Sequence, residues 1–273
     1  MGKTGFLHPG EMGATIAATY NGTRLWVSDG RSPSSHQRAE AAGMIDVGTL
    51  GRLVKEADTI VSVCPPDSAL EVAREVAEAG FDGLYVDANA IAPTTCERIG
   101  ELFDRFVDGC IIGLPPHQPG TTRMYLVGDE ADSIASHWND SNLNVVTFEG
   151  GVGAASALKM CYAGWSKHNH ALMLAIRAAA EAHGVTDELK AEWAMSRPDN
   201  ERIALDAAAR SSPKAWRFVG EMREIAATFE AVGLPAGFHS GAAELFGRMD
   251  EFKDAEASPD IDDVIAAILA AKP

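Results

Sequence analysis

Two periodicities divide this chain. Over the first 150 residues, short apolar runs alternate with helix-like stretches. The runs at residues 4–7, 25–28, 59–64, 84–87, 105–110 and 123–127 read as strands, and several end in turn-forming clusters: His8-Pro9-Gly10, Asp29-Gly30 and Cys64-Pro65-Pro66. Between them lie segments such as 69–79, where Leu70, Ala73, Val76 and Ala77 form an apolar stripe at helical spacing. Alternation of this kind predicts a mostly parallel sheet with helices on both faces.

From residue 154 the pattern changes. No proline interrupts 154–183, a stretch rich in Ala, Leu and Met, with Gly150, Gly151 and Gly153 before it and Gly184 after it. The spacing predicts one helix of about 30 residues, roughly 45 Å long. Further helices are expected over 187–195, 201–209, 216–232, 239–250 and 261–271, with no strand among them. The fold class that follows is an α/β Rossmann domain over residues 1–150, then an all-α domain over 151–273, joined through the long helix.

Composition narrows the function. The 273 residues are 46% hydrophobic and 23% charged, as in a globular protein. With 23 basic against 39 acidic residues the net charge is −16, a surface that would repel a phosphate backbone and argues against nucleic-acid binding. Cys64, Cys96, Cys110 and Cys161 are scattered without a C-x-x-C pair, which fits reduced thiols in a cytoplasmic protein. The first residues lack a signal-peptide pattern, and no apolar run approaches 18 residues, so no membrane partner is expected. No H-E-x-x-H motif occurs, and His168 and His170 point to different helix faces, so no metal is expected.

The first strand runs into His8-Pro9-Gly10-Glu11-Met12-Gly13 and then a helix, expected over 14–20. A dinucleotide fold sets the cofactor pyrophosphate at such a helix N-terminus. Gly10 would permit close backbone approach and Gly13 close packing, while His8 stands where the first glycine is usual. After the second strand, Asp29 offers a carboxylate to both ribose hydroxyls, which favours NAD. Arg31 and Ser32, with Arg38 beyond, offer a cradle for a 2′-phosphate, which favours NADP. The balance leans to NADP.

These residues resemble the β-hydroxyacid dehydrogenases, relatives of 6-phosphogluconate dehydrogenase. Gly5-Phe6-Leu7 with Gly10, Met12 and Gly13 is similar to the opening of that family. Gly30-Arg31-Ser32 resembles the Asn-Arg-Thr of its NADP-using members. Residues 87–93, Asp-Ala-Asn-Ala-Ile-Ala-Pro, stand where the family has Asp-x-Ser-Thr-x-x-Pro beside the nicotinamide. Residues 108–113, Asp-Gly-Cys-Ile-Ile-Gly, match its substrate segment Asp-Ala-Pro-Val-Ser-Gly. Gly150, Gly153 and Lys159 fit the segment that opens its interdomain helix. The run 159–167, with Gly237-Phe238-His239, looks like a subgroup whose C-terminal domain has no assigned function. Three departures stand out: Ile112 replaces a substrate-binding serine, Ala155 a glycine, and Ala163 an asparagine.

The resemblance implies hydride transfer between NADP(H), or NAD(H), and a small hydroxy or carbonyl compound. Lys159 would donate or accept the accompanying proton. In reduction its ammonium donates unaided. In oxidation it must be neutral near pH 7, which requires burial to lower a reference pKa of about 10.4 by roughly 3 units. Cofactor contacts fall on His8, Pro9, Gly10, Glu11, Met12, Asp29, Gly30, Arg31, Ser32, Cys64, Pro65 and Asn89. Asn89 either orients the nicotinamide carboxamide or substrate, or caps the following helix. Substrate contacts fall on Ile112, Gly113, Tyr162, Ala163 and Ser166, and on His239, which either reaches a cleft between the domains or is a helix-capping or surface histidine. The family also implies a homodimer. Loss of the serine keeps imine reduction open as an alternative, beside a non-catalytic NADP-binding protein.

Overall fold

The computed structural model describes residues 2–270. Its contacts divide the chain into two compact units that part between residues 160 and 161. The break falls inside the long helix, about one helical third beyond the boundary near 150 read from the sequence.

The first unit is built on an eight-stranded sheet in the order β3-β2-β1-β4-β5-β6-β7-β8. In chain order the strands are β1 (Lys3–Phe6), β2 (Thr23–Trp26), β3 (Ile45–Asp46), β4 (Thr59–Ser62), β5 (Leu84–Asp87), β6 (Phe106–Gly113), β7 (Thr122–Val127) and β8 (Leu143–Thr147). All neighbours are parallel except β6 and β7, which run antiparallel. The helices are α1 (Glu11–Ala18), α2 (Pro33–Ala41), α3 (Leu50–Glu56), α4 (Ala69–Glu78), α5 (Pro93–Gly100) and α6 (Ala131–Ala135). Successive strand residues point to opposite faces, and here both faces are covered. Phe6, Trp26, Val61 and Val86 enter one core with Ile16, Tyr20 and Trp138, whereas Leu7, Leu25, Ile60 and Tyr85 enter the other with Leu53, Val76 and Ile99. That double burial is why the strands read as continuous apolar runs.

Six strands were legible as such runs, and β3 and β8 were not. Both residues of β3 are exposed, and β8 is a half-exposed edge strand opening on Leu143-Asn144. The expected bounds move most at three strands: β2 starts and ends two residues earlier, β4 leaves the sheet at Ser62, so Cys64 and Pro65 lie in a turn, and β6 extends to take in Ile112 and Gly113.

The second unit is helical. Helix α7 (Ala154–Ala182) starts in the first unit and ends in the second. It is followed by α8 (Thr186–Ser196), α9 (Asn200–Ser211), α10 (Ala215–Ala231), α11 (Gly237–Gly247) and α12 (Ile261–Ala270). All six expected helices are present; residue 271, the last of the expected final helix, lies outside the described residues. Arg177, 2% exposed, is held by both carboxylate oxygens of Glu201 at 2.9 and 3.0 Å. Lys167 pairs with Glu221 at 2.9 Å, and Phe218 of α10 meets Phe246 of α11 edge-on.

Candidate functional site

In an open doubly wound sheet, ligands bind beyond the carboxyl ends of the strands where the strand order reverses. Here that place lies between β1 and β4, which are neighbours although β2 and β3 intervene in sequence. The turn His8–Gly13 leaves β1 there, and the turn at Val63-Cys64-Pro65 leaves β4 beside it.

The local geometry of the first turn follows from its glycines. A Cβ on Gly13 would stand 2.3 Å from the His8 carbonyl oxygen, so only glycine lets α1 start this close to the strand, whereas around Gly10 there is open space within 4 Å. Pro9 is buried, Gly10 and Glu11 are exposed, and Met12 packs against the core. Helix α1 follows directly, with first-turn N–H groups that have no intrahelical acceptor.

Beyond β2 the chain forms a second polar cluster. Gly30 sits at φ +69°, a left-handed turn that glycine adopts without strain. Ser32 is the N-cap of α2, and its Oγ accepts from the Ser35 N–H at 3.3 Å and meets the Ser34 and Ser35 hydroxyls at 3.0 and 3.1 Å. Arg38, one turn on, donates from Nε to the Pro9 carbonyl at 2.8 Å and from Nη2 to Ser35 Oγ at 3.3 Å. It therefore ties the two turns together while its guanidinium stays within the serine cluster.

Between the turns opens a cavity of about 160 Å³, lined by Leu7, His8, Asp29, Arg31, Leu50 and Glu75 among others. His8 Nδ1 and Arg31 Nε are shielded from solvent and have no hydrogen-bond partner. Burial, and then the Arg31 charge, push the His8 imidazole down to about 4, so it is neutral at pH 7. A second cavity, about 410 Å³, lies along β8, and its lining includes none of the sequence-marked residues.

Asn89 does something the sequence did not indicate. Its Oδ1 accepts from the Cys64 N–H at 2.6 Å, and its amide donates to Ser62 Oγ at 3.1 Å and to Asp87 at 2.8 Å. Only 2% exposed, it clamps the ends of β4 and β5 and so sets the Cys64-Pro65 turn. The expected alternative of a helix cap is corrected: the N-cap of α5 is Ala92. Asp87 itself is fully buried, and burial pushes its carboxyl up to about 7.

Strand β6 fastens the start of α7. Asp108 accepts from the Ala155 N–H at 2.8 Å, from the Ser156 N–H at 3.2 Å and from Ser156 Oγ at 2.8 Å. One turn further, Lys159 Nζ donates to the Ile111 carbonyl at 2.9 Å. Ile112 is buried, and Gly113, at φ +128°, has the Thr121 carbonyl oxygen where a Cβ would go. Asp108, invisible to the motif reading except as a family match, is thus the anchor of the helix that carries Lys159.

The other expected substrate residues belong to the second unit. Tyr162 is 47% exposed and Ala163 fully buried, and Ser166 donates to the Ala163 carbonyl at 3.4 Å. His239 is buried within α11, stacked edge-on against Phe229 and near His168, and its Nδ1 has no partner. It does not cap α11, whose N-cap is Ala236.

Residues 180–249 match the family described as Domain of unknown function (DUF1932). An uncharacterised 28.5 kDa protein of Methanothermus fervidus is 29% identical over 192 residues, 68% of this chain and 74% of that one. The conserved protein MTH1747, described as structurally similar to 3-hydroxyacid dehydrogenases, is 25% identical with TM-score 0.67, covering 92% of this chain and 97% of that one. The chain has the β-hydroxyacid dehydrogenase-like fold, and a segment of its C-terminal half matches the DUF1932 model. The Mycobacterium tuberculosis 3-hydroxyisobutyrate dehydrogenase, solved with L-serine, shares this fold at 20% identity and TM-score 0.65, over 99% of this chain and all of that one. An imine reductase from Myxococcus stipitatus, solved with NADP+, shares it at 19% identity and TM-score 0.54, over 98% and 99%. The DUF1932 segment runs from the last turns of α7 to the end of α11, so it includes His239, whereas Lys159 precedes it.

Proposed function

We propose that this protein is an NAD(P)-dependent oxidoreductase of the β-hydroxyacid dehydrogenase type, using NADP(H) in preference to NAD(H), with Lys159 handling the proton. The observation that carries the reading is the cavity lined by His8 after β1, by Asp29 and Arg31 after β2 and by Glu75 on α4, where two of the lining side chains carry unpartnered atoms, His8 Nδ1 and Arg31 Nε. A dinucleotide fits this donor set. The first turn of α1 would take the pyrophosphate. Asp29 would face the ribose, and Arg31 with the Ser32, Ser34 and Ser35 hydroxyls at the N-terminus of α2 would take a 2′-phosphate. That cluster, rather than Asp29 alone, is what favours NADP(H).

When bound, the nicotinamide would supply hydride to a carbon bearing oxygen or nitrogen. Lys159, tethered to β6 through the Ile111 carbonyl, would give or receive the proton on that heteroatom. Titration of the purified protein with NADPH and NADH, followed by ligand fluorescence, tests the cofactor assignment. Tight NADPH and weak NADH binding is expected. Binding of neither would overturn the reading.

A second reading, imine reduction, is favoured by buried Ile112, which offers no donor to a substrate carboxylate. Turnover of cyclic imines compared with hydroxyacids separates the two; activity on the acids alone removes the imine reading. The protein is further proposed to act as a cytoplasmic homodimer on a small molecule.

A further inference from the structure

Position 8 carries a side chain where a dinucleotide turn ordinarily has its first glycine, chosen for a tight turn. The His8 imidazole is partly buried and lines the cavity with Asp29 and Arg31, at the place where the second strand presents its residues to the cofactor ribose. Its Nδ1 and the Arg31 Nε are both closed to solvent and both without a partner. Buried polar atoms in folded proteins are nearly always paired, and both of these unpaired atoms belong to side chains that line the same cavity. Deepening the cofactor reading, we infer that His8 acts with Arg31 to read the 2′ position of the adenosine ribose, and takes up a proton from solvent when that position carries phosphate.

The charges around the ring support this. Without ligand, burial and the Arg31 guanidinium hold the imidazole neutral, down at about 4. A phosphate dianion in this cavity would offset Arg31 and attract a proton to the ring, raising its pKa. A ribose hydroxyl brings no charge and leaves His8 neutral, able to make one hydrogen bond through Nδ1. The other groups facing the cavity are Asp29 after β2 and Glu75 on α4, with the Cys64 thiol near enough to feel Arg31. These are present whichever cofactor binds, so they cancel when the two are compared. Arg38 is engaged with Pro9 and Ser35.

The sign follows from linkage. A group whose pKa rises on binding makes the complex tighter as pH falls through its bound pKa towards its free one. NADPH affinity relative to NADH should therefore rise several-fold between pH 8 and pH 6. The 2′-phosphate titrates near pH 6 by itself, so the comparison must be made against a variant that keeps the hydrogen bond but cannot protonate. His8→Gln meets that need, and His8→Gly, which restores the usual residue, serves if the glutamine does not fold.

The experiment is titration calorimetry of intact wild-type and variant protein with NADPH and with NADH, in buffers of different ionisation enthalpy. Wild type is expected to take up on the order of half to one proton more with NADPH than either variant does, with no such difference for NADH. Equal uptake in wild type and variants would overturn the role of His8 while leaving the cofactor reading intact. Failure of folded wild type and His8→Gly to bind either cofactor would overturn the cofactor reading and the inference together.

Discussion

Asp108 and Ser156, 48 positions apart, are joined twice: the Ser156 hydroxyl and its backbone N–H both donate to the Asp108 carboxyl, at 2.8 and 3.2 Å. A helix N-terminus has four N–H groups without intrahelical acceptors, and here a strand residue supplies the acceptor that a local N-cap would ordinarily provide. Asp108→Ala leaves the Ala155 and Ser156 N–H groups buried and unsatisfied, at about 1–3 kcal/mol each. Thermal unfolding should drop by roughly 5–15 °C, and Asp108→Asn, which keeps one acceptor oxygen, by clearly less. Equal stability of Asp108→Ala and wild type would remove the anchor.

Lys159 reaches the Ile111 carbonyl from the second turn of the same helix. As a general acid or base it should account for about 10²–10⁴ in rate. Lys159→Met should lower kcat by at least 10²-fold on any substrate the protein turns over, with cofactor affinity little changed. Unchanged turnover would mean that another group moves the proton.

Asp87 is wholly enclosed, and its carboxyl titrates at about 7 in the fold against an ordinary value of 3.8. Between those values the folded state holds a proton that the unfolded chain releases, so this group's contribution to stability declines as pH rises from about 4 to 7 and stays low above it. Asp108, also raised by burial, acts in the same direction. Asp87→Asn should therefore flatten the loss of melting temperature from pH 5 to pH 7.5 by several degrees. Parallel curves for the two proteins would contradict the assignment.

The helical unit exposes Trp165 at 71%, Phe238 at 65% and Val232 at 72%. Large apolar side chains in such numbers favour burial against a second copy of the chain. Light scattering is expected to give twice the chain mass, and Trp165→Glu to shift it towards one. A wild-type monomer across the working concentration range would dismiss the dimer.

How much of this was written in the chain depends on the range of each interaction. The alternation of apolar runs and helical stripes is a local signal, with period 2 or 3.6, and it announced β1, β2, β4–β7 and all of α7–α12. Edge strands β3 and β8 escaped because half-exposed residues carry no such period. The glycines of the first turn were legible because the steric demand is made by neighbours: Gly13 meets the carbonyl of His8, five residues back.

The sequence alone also singled out His8, Arg31, Ser32 and Lys159, since a motif fixes residue type and spacing. It left Asn89 between two roles, of which the cap is not what it does, because its partners Ser62 and Cys64 come from another strand. Only the tertiary structure decided that Asp108 holds α7, that Arg38 ties the turn of β1 to that of β2, and that His8 and Arg31 share one cavity. Each depends on which strands lie side by side. That order is set by burying both faces of the sheet at once, a property of the whole chain that no local pattern contains.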